Sequence, residues 1–343
     1  MKSSGSHRSP AQTETLSPIT LGTFAHSIIQ KQFKKATRYK KQVLRDTDPE
    51  ALHQMRVGYR RLQAAFTVFD SVVKLPEVVT ESAIRHVIKR LGGVRDLDVL
   101  LAWLHTFQTS HELSADEIQT LDTVHQYLQK VRKRRFRQLR KLLKSDDYSA
   151  LVDALNQWAE KPRYQATSLL PLPLVLPDLV LPPLSDLLQH PAWLVGTHSK
   201  TGLPKPLRRM SQARIDTCLA EQGAYLHDLR KQAKRLRYEF EFFTAADSEL
   251  SPQIEQQANN LRQIQAVLGT LQDETIITGF LSKILGDEWA TQLPTLAQHF
   301  SQERRKVWKD WQSWQTQYLD PKVRQQLRQQ LTGPAQLSIA SAI

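Results

Sequence analysis

The stretch HQMRVGYRRLQAAFTVF, His53–Phe69, sets a histidine and three arginines in a largely apolar background. Apolar side chains such as Met55 and Tyr59 recur every three or four residues, which predicts one packed face of an α-helix. Cations such as Arg56 and Arg60 recur at the same spacing and form a second stripe beside the apolar one. The stretch therefore predicts an amphipathic helix that presents a regular row of positive charge.

A second copy of this stretch, HDLRKQAKRLRYEFEFF, begins at His227. An offset of 174 residues pairs His53 with His227, Arg56 with Arg230, Arg60 with Lys234, Arg61 with Arg235, Leu62 with Leu236, Phe66 with Phe240 and Phe69 with Phe243. Each copy is followed by a second shared motif, LGGVRDLDVLLAWL from Leu91 and LGTLQDETIITGFL from Leu268. An offset of 177 residues pairs Leu91 with Leu268, Gly92 with Gly269, Asp96 with Asp273, Leu104 with Leu281 and, upstream, Arg85 with Arg262. Two motifs in the same order indicate an internal duplication of units of roughly 150 residues.

The net charge points to an anionic partner. The chain of 343 residues holds 47 Lys and Arg against 34 Asp and Glu, a formal charge of +13. Nucleic acid, polyphosphate or an acidic membrane surface would suit that excess. The single cysteine, Cys218, excludes an intramolecular disulfide and fits a reducing compartment.

Targeting and membrane signals are not apparent in the sequence. Residues 1–18 are polar and lack the apolar core of a secretory signal. The most apolar segment, Leu169–Val195, holds six prolines and two aspartates, which disfavours a membrane-spanning helix. We expect a cytoplasmic protein.

The apolar periodicity and the punctuating Gly and Pro residues predict an all-α protein. We expect a disordered tail over residues 1–20, a first helical bundle over 21–161, a Pro-rich linker over 162–206, a second bundle over 207–320 and a tail over 321–343. The helices predicted in the first bundle are Leu21–Asp46, His53–Val73, Val79–Leu91, Arg95–Thr109, Leu113–Lys144 and Ala150–Glu160. Those predicted in the second are Arg209–Ala220, His227–Thr244, Gln253–Leu268, Gln272–Leu285 and Thr291–Tyr318. We predict no strands, and polyproline or extended backbone in the linker.

Catalytic and metal chemistry find little support in these motifs. The chain lacks HExxH, a phosphate-binding glycine loop and GxSxG. Asp96 and Asp98 leave a metal or catalytic role open, but capping a helix or orienting an arginine is the favoured interpretation of Asp96. His53 and His227 lack a third repeated ligand, and the neighbouring arginines would repel a cation. We predict no catalytic residue, no metal and no cofactor.

Anion binding uses the repeated residues more fully. Arginine presents a planar fork of donors that fits phosphate oxygens, and lysine adds a mobile charge. Arg56 with Arg60, and Arg230 with Lys234 and Arg237, lie within about one helical turn of each other, which places neighbouring side chains roughly 5–6 Å apart. Such rows suit successive charges along a flexible phosphate chain.

HQMRVGYRRL with LGGVRDLDVLL, together with HDLRKQAKRLRYEFEFF, resembles the signatures of the CHAD family, the conserved histidine α-helical domain. The resemblance covers about residues 21–318. It implies two pseudo-symmetric helical bundles that flank a basic groove and bind inorganic polyphosphate. It also implies a stand-alone binding module, because the ExExK signature of the triphosphate-hydrolysing domain that sometimes accompanies CHAD units is missing.

The residues expected to bind polyphosphate combine the matched motif positions with neighbouring basic helices. They are His53, Arg56, Arg60, Arg61, His227, Arg230, Lys234, Arg235, Arg237, Lys34, Arg38, Lys41, Arg85, Lys89, Arg262, Arg132, Arg135, Arg304, Arg305 and Lys306. Two features depart from the family pattern: the Pro-rich linker is long, and Gln272 stands where the first repeat has Arg95.

Two other functions remain as alternatives. A nucleic-acid binder would use the same cations on phosphate backbones, although the aromatic residues lie on the apolar stripes and not among the cations. An enzyme that acts on polyphosphate is the third alternative. We expect a non-enzymatic partner of polyphosphate, with weak non-specific binding of nucleic acid, no membrane association and a location at polyphosphate granules. The sequence leaves the oligomeric state open.

Overall fold

Helices make up almost all of the computed structural model, which describes residues 19–199, 202–244 and 251–332. The first half contains α1 (Leu21–Thr37), α2 (Lys40–Arg45), α3 (Pro49–Val68), α4 (Glu81–Ser110), α5 (Ala115–Leu143) and α6 (Asp146–Glu160). The middle contains short 3-10 helices at Ala166–Leu169 and Pro191–Leu194, α7 (Leu172–Gln189), β1 (Thr197–Ser199) and β2 (Pro204–Pro206). The second half contains α8 (Gln212–Phe243), α9 (Ser251–Leu285), α10 (Trp289–Gln292), α11 (Pro294–Leu319) and α12 (Pro321–Thr332). The predicted all-α class is confirmed.

The long helices run through glycines at which the sequence predicted breaks. α4 is continuous across Gly92 and Gly93, and α9 is continuous across Gly269. None of these three glycines has a positive φ. An added Cβ on Gly92 would lie 3.5 Å from Nε of Arg56, and one on Gly269 would lie 3.5 Å from Nε of Arg230. The helices therefore continue through these glycines, and an arginine of a neighbouring helix packs over Gly92 and over Gly269.

Two further helix boundaries differ from the prediction. The expected helix Leu21–Asp46 is interrupted at Arg38 and Tyr39. Its second part, α2, ends at Arg45 and is capped by Asp46, which has a left-handed φ of 56°. The expected helices Arg209–Ala220 and His227–Thr244 are one helix, α8. Thr197–Ser199 and Pro204–Pro206 pair as two antiparallel strands, although no strand was predicted.

The Pro-rich segment forms the helix α7, so the prediction of polyproline or extended backbone was wrong. Leu172, Leu176, Val180 and Leu184 are buried at four-residue spacing, which gives the segment a helical apolar stripe. Pro173 lies in the first turn, where its missing N–H removes no helical bond, but Pro177, Pro182 and Pro183 lie inside the helix. Burial of the leucine stripe offsets those lost backbone hydrogen bonds.

The two halves share their hydrophobic cores. In the larger core the ring of Phe243 stacks on Phe24 at 5.8 Å between centroids and meets Phe69 edge-on at 6.3 Å. A smaller core joins the distal parts of α4 and α5 to α9 and α11, with members such as Leu97 and Leu296. Each core contains residues from both repeats, which fixes α3 and α4 relative to α8 and α9.

Buried polar contacts add to this joining of the halves. Ser114 and Glu117 form a capping box at the start of α5. The same Glu117 carboxylate accepts a hydrogen bond from the backbone N–H of Thr295 at 2.9 Å, at the start of α11.

Within the described residues, no helix combines the length and the apolar character that crossing a membrane requires.

Candidate anion-binding site

The α3 helix presents His53, Arg56 and Arg60 because the neighbouring face of the helix is packed in the core. Asp48 caps the helix by accepting from the backbone N–H of Glu50 at 2.8 Å, and Pro49 takes the first helical position. The packed face includes Met55, Tyr59 and Leu62. The cations lie beside this face and are half-buried.

The α8 helix repeats the arrangement in the second half. Leu229 and Ala233 are fully buried, and His227, Arg230 and Lys234 lie half-buried beside them. Burial of the apolar face therefore orients this second row of cations as it does the first.

The two rows meet in one cavity of about 390 Å³, which we call the central cavity. Its walls come from α3, α4, α8 and α9. Seven pairs of its lining residues are related by the sequence offsets of 174 or 177: His53 and His227, Arg56 and Arg230, Arg60 and Lys234, Arg95 and Gln272, Asp96 and Asp273, Val99 and Ile276, and Leu100 and Ile277. The duplicated motifs thus line a shared cavity.

The lining departs from this pairing at two places. Arg95 is paired with Gln272, so the first half supplies one extra guanidinium. Trp103 lines the cavity on one side only and is packed against Phe107 and Phe300, at 5.5 Å between centroids in both contacts.

Burial among like charges lowers the pKa of several cations in the central cavity. Burial, followed by the charges of Arg60, Arg56 and Arg230, lowers the pKa of Lys234 to about 7. Burial and the charge of Arg60 lower the pKa of Arg56 to about 10. An anion that enters the cavity would relieve this repulsion.

Both histidines also have lowered pKa values. Burial is the main cause for each; the charge of Arg95 adds to it at His53, and that of Lys231 adds to it at His227. Each imidazole keeps a buried Nδ1 without a hydrogen-bond partner among the described residues, and the same holds for Nε of Arg56 and of Arg230. These four atoms form two equivalent pairs, one in each half.

The two aspartates of the cavity are placed differently. Arg56 donates to Asp96 at 3.4 Å between Nη2 and Oδ1, so Asp96 orients this arginine. Because α4 is continuous, Asp96 lies inside the helix and does not cap it. Burial raises the pKa of Asp273, although Arg230 opposes the shift. No group of three or more His, Cys, Asp or Glu side chains suited to a metal ion occurs in the part of the chain that the structure describes.

A second cavity of about 450 Å³, the outer cavity, adjoins the central one and shares Arg56, Arg60 and Asp96 with it. Lys89, Arg90 and Arg135 add three cations to its lining. Arg135 is positioned by donating to the backbone oxygen of Gly93 at 3.0 Å. Cationic side chains therefore continue from the central cavity along α3, α4 and α5.

Glu241 binds three of the predicted site residues away from both cavities. Its carboxylate accepts from Arg61 at 2.5 Å, from Arg237 at 2.5 Å and from Arg262 at 3.2 Å. Arg61 reaches it from α3, so this cluster joins the two His-bearing helices.

Two more predicted residues are engaged by carboxylates. Arg132 binds Asp46 through both terminal nitrogens and Asp98 through Nε, each at 2.6 Å. Arg304 pairs with Asp216 at 2.9 Å and with Glu274.

The remaining predicted residues lie on exposed helix faces outside the central cavity. They are Lys34, Arg38, Lys41, Arg85, Arg235, Arg305 and Lys306. Lys89 is also exposed, but it lines the outer cavity.

The sequence did not identify Arg95 and Arg90 as site residues. Arg95 was noted only as a mismatch with Gln272, yet it lines the central cavity, and Arg90 lines the outer one. Arg95 and Arg90 each lie two residues from the Gly92–Gly93 pair that Arg56 and Arg135 approach. A search for cations flanking the repeated glycine would have found both.

Two solved structures share the fold of this chain. The chain is similar to the crystal structure of the CHAD domain from the plant Ricinus communis, with 23% identity, a TM-score of 0.55, and coverage of 95% of this chain and 97% of that chain. It is also similar to PptA from Streptomyces chartreusis, with 17% identity, a TM-score of 0.58, and coverage of 87% of this chain and all of that one. No curated protein sequence matches. The sequence model of the CHAD domain matches residues 27–282. The chain therefore belongs to the CHAD domain family.

Proposed function

We propose that this protein binds inorganic polyphosphate, without catalysis, in the central cavity and the adjoining outer cavity. The observation that carries the proposal is the meeting of two repeated rows of cations, from α3 and α8, in one half-buried cavity. A polyphosphate chain carries a negative charge at every unit, and it would replace the repulsion between these cations with charge-assisted hydrogen bonds.

The donors at the cavity wall support this choice of ligand. Arg56 and Arg230 line the cavity, one from each half. A guanidinium carries five N–H donors in a fork that fits phosphate oxygens, and hydrogen bonds to an ionised acceptor are stronger than neutral ones. His53 and His227 also line the cavity and add one imidazole in each half.

The extended row of cations supports a chain ligand over a single phosphate. A chain held at Arg230 and Lys234 would extend past Arg56 and Arg60 to Lys89 and Arg135. Once one segment is bound, each further contact is intramolecular, which raises affinity without new protein surface.

Five predicted residues that lie outside the central and outer cavities and are bound by carboxylates are left out of the proposed contact set. These are Arg61, Arg132, Arg237, Arg262 and Arg304. The exposed cations of α1, α2, α4, α8 and α11 would contribute through long-range attraction, which salt screens. Arg95, Arg90 and Lys89 join the set because they line the cavities.

The absence of catalysis is part of the proposal. Arg56 donates to Asp96 at 3.4 Å, so we assign this carboxylate to positioning an arginine. We accordingly expect bound chains to remain intact, and we expect the protein to act in the cytoplasm at polyphosphate granules.

Three measurements on the full chain test the proposal: binding of polyphosphate, displacement of DNA and release of phosphate. Inorganic polyphosphate should bind with a saturable signal, and it should displace labelled duplex DNA at equal phosphate concentration. Incubation of the complex with Mg²⁺ should release no phosphate. Polyphosphate that fails to displace DNA would favour a nucleic-acid binder instead, and steady phosphate release would favour an enzyme.

A further inference from the structure

A cavity of about 870 Å³ lies beside the central cavity, between α8, α9 and α11. We call it the side pocket. It shares His227 and Gln272 with the central cavity, so one ligand could occupy both spaces.

The side pocket has a different chemistry from the central cavity. Much of its lining is aliphatic or small, including Leu219, Leu268 and Leu271. Its one arginine, Arg304, is neutralised by Asp216 and Glu274. A bare phosphate chain would lose hydration there without gaining cationic partners.

The pocket instead fits an organic group with hydrogen-bond donors. Small-molecule sites are typically about 300–1,000 Å³, mainly apolar, with a few polar groups that orient the ligand. Asp216 and Glu274 supply carboxylate oxygens that accept from hydroxyl or amino groups, as acidic side chains do with ribose in nucleotide sites. The aliphatic wall suits a heterocyclic base.

We propose that the side pocket binds the nucleoside of a nucleoside 5′-polyphosphate whose phosphates occupy the central cavity. This inference rests on the proposed phosphate site and adds a ligand class to it. His227 and Gln272, which face both spaces, would lie at the junction of the sugar and the first phosphate.

Gly223 provides a clean way to fill the side pocket. It lines the pocket on α8, and an added Cβ would meet nothing within 4 Å. Gly223→Leu would therefore add a side chain at the pocket wall whose Cβ meets no other atom of the protein within 4 Å. Gly279→Leu is the matched control, because an added Cβ on this α9 glycine also meets nothing within 4 Å and the residue lies outside the pocket lining.

The experiment compares ATP with inorganic tripolyphosphate by calorimetry on the full chain, with no divalent metal. The two ligands share a run of three phosphates, and only ATP carries a nucleoside. We expect ATP to bind the unmodified protein at least about tenfold more tightly, a difference of roughly 1.4 kcal/mol. Gly223→Leu should remove that advantage and leave tripolyphosphate affinity unchanged, whereas Gly279→Leu should keep both affinities.

Thr278→Leu, on the α9 wall of the side pocket, is a second filling variant if Gly223→Leu fails to fold. ATP that binds no better than tripolyphosphate would overturn the inference, as would an ATP advantage that persists in the folded filling variants. If neither ligand binds but long-chain polyphosphate does, this inference alone fails. If none of the three binds, the proposed function fails with it.

Discussion

Lys234 is the residue whose environment most directly links anion binding to pH. Its amine is half-buried beside Arg56, Arg60 and Arg230, and its pKa is lowered to about 7. The other charges that face the cavity come from α4 and α9, namely Arg95, Asp96 and Asp273, and the histidines are His53 and His227. A phosphate beside the amine would raise its pKa towards 10.4, the ordinary value for lysine.

We expect polyphosphate binding to be accompanied by proton uptake at Lys234. Above pH 7 the free protein holds this amine mostly neutral, whereas the complex holds it charged. Binding must then supply a proton, so affinity should fall by up to about tenfold per pH unit as pH rises from 7 to 9. Calorimetry in two buffers of different ionisation enthalpy measures the number of protons taken up.

Lys234→Arg separates this effect from the other titrating groups. An arginine stays charged over this range, so the variant should bind with little proton uptake and a flatter pH profile. The explanation fails if the variant takes up as many protons as the unmodified protein between pH 7 and 9.

At the scale of the helices, the α1–α3 contact depends on Gly58. A Cβ built on this residue would lie 2.6 Å from both Cα and N of Ala36, which is closer than packing permits. Gly58→Ala should therefore force the two helices apart and destabilise the fold by about 1–3 kcal/mol. Urea unfolding followed by circular dichroism measures the change.

Gly279→Ala is the matched control for this prediction, because its Cβ meets nothing within 4 Å. It should stabilise α9 by about 0.5–1 kcal/mol through helix propensity alone. If the two substitutions change the free energy of unfolding equally, Gly58 is not required for the close approach of α1 and α3.

The ion pairs of Arg132 join α2, α4 and α5, and we expect their role to be structural. Asp98 is 7% exposed, and burial raises its pKa even with Arg132 present. Arg132→Met would leave this carboxylate without its partner, and we expect a loss of about 3–5 kcal/mol of stability. Polyphosphate affinity should be retained at temperatures where the variant is folded.

Arg134→Met provides the comparison for Arg132→Met, because Arg134 is exposed on the same helix. It should change stability little. A similar stability for both variants would mean that the Arg132 ion pairs contribute no more than an exposed arginine does.

The sequence predicted the helices better than their ends. Periodic stripes located α3 and α5, but Gly92 was interpreted as a break, since glycine weakens helices and the arginine that packs on it comes from another helix. The prolines of α7 likewise outweighed its buried leucine stripe in the prediction. In both places tertiary packing overrides local helix propensity. A single sequence does not show which residues will pack together, so the energy of that packing could not be included in the prediction.

At the scale of the whole molecule, the repeated motifs could be predicted together with some of the residues that line the central cavity. Six of the predicted site residues line it, namely His53, Arg56, Arg60, His227, Arg230 and Lys234. Arg61 and Arg237 bind Glu241 instead. For Arg61 the charge pattern could not reveal this, because its carboxylate partner lies 180 residues away, whereas Arg237 lies only four residues from Glu241 on the same helix. A two-fold relation between the complete halves remains a prediction.

The shared cores determine how the central claim must be tested. Because Phe24 and Phe69 pack against Phe243, each half would expose core surface if separated, so the full chain is the proper sample. Substitutions at the cavity are a safer probe, because its cations lie beside the buried stripes and not among them.

The most direct test of a shared site is the affinity for polyphosphate of two matched double variants. One is Arg56→Glu with Arg60→Glu, and the other is Arg230→Glu with Lys234→Glu. Lys161→Glu with Arg163→Glu makes the same change in net charge at exposed positions outside the cavities.

We expect both cavity variants to lose about 2–5 kcal/mol of binding free energy, since each places like charge against the ligand in a half-buried site. That loss corresponds to at least roughly thirtyfold in Kd, and the exposed control should lose far less. All three variants should keep a helical spectrum and a cooperative melt. If one cavity variant binds as tightly as the exposed control while the other does not bind, polyphosphate contacts one half only and the shared site is wrong.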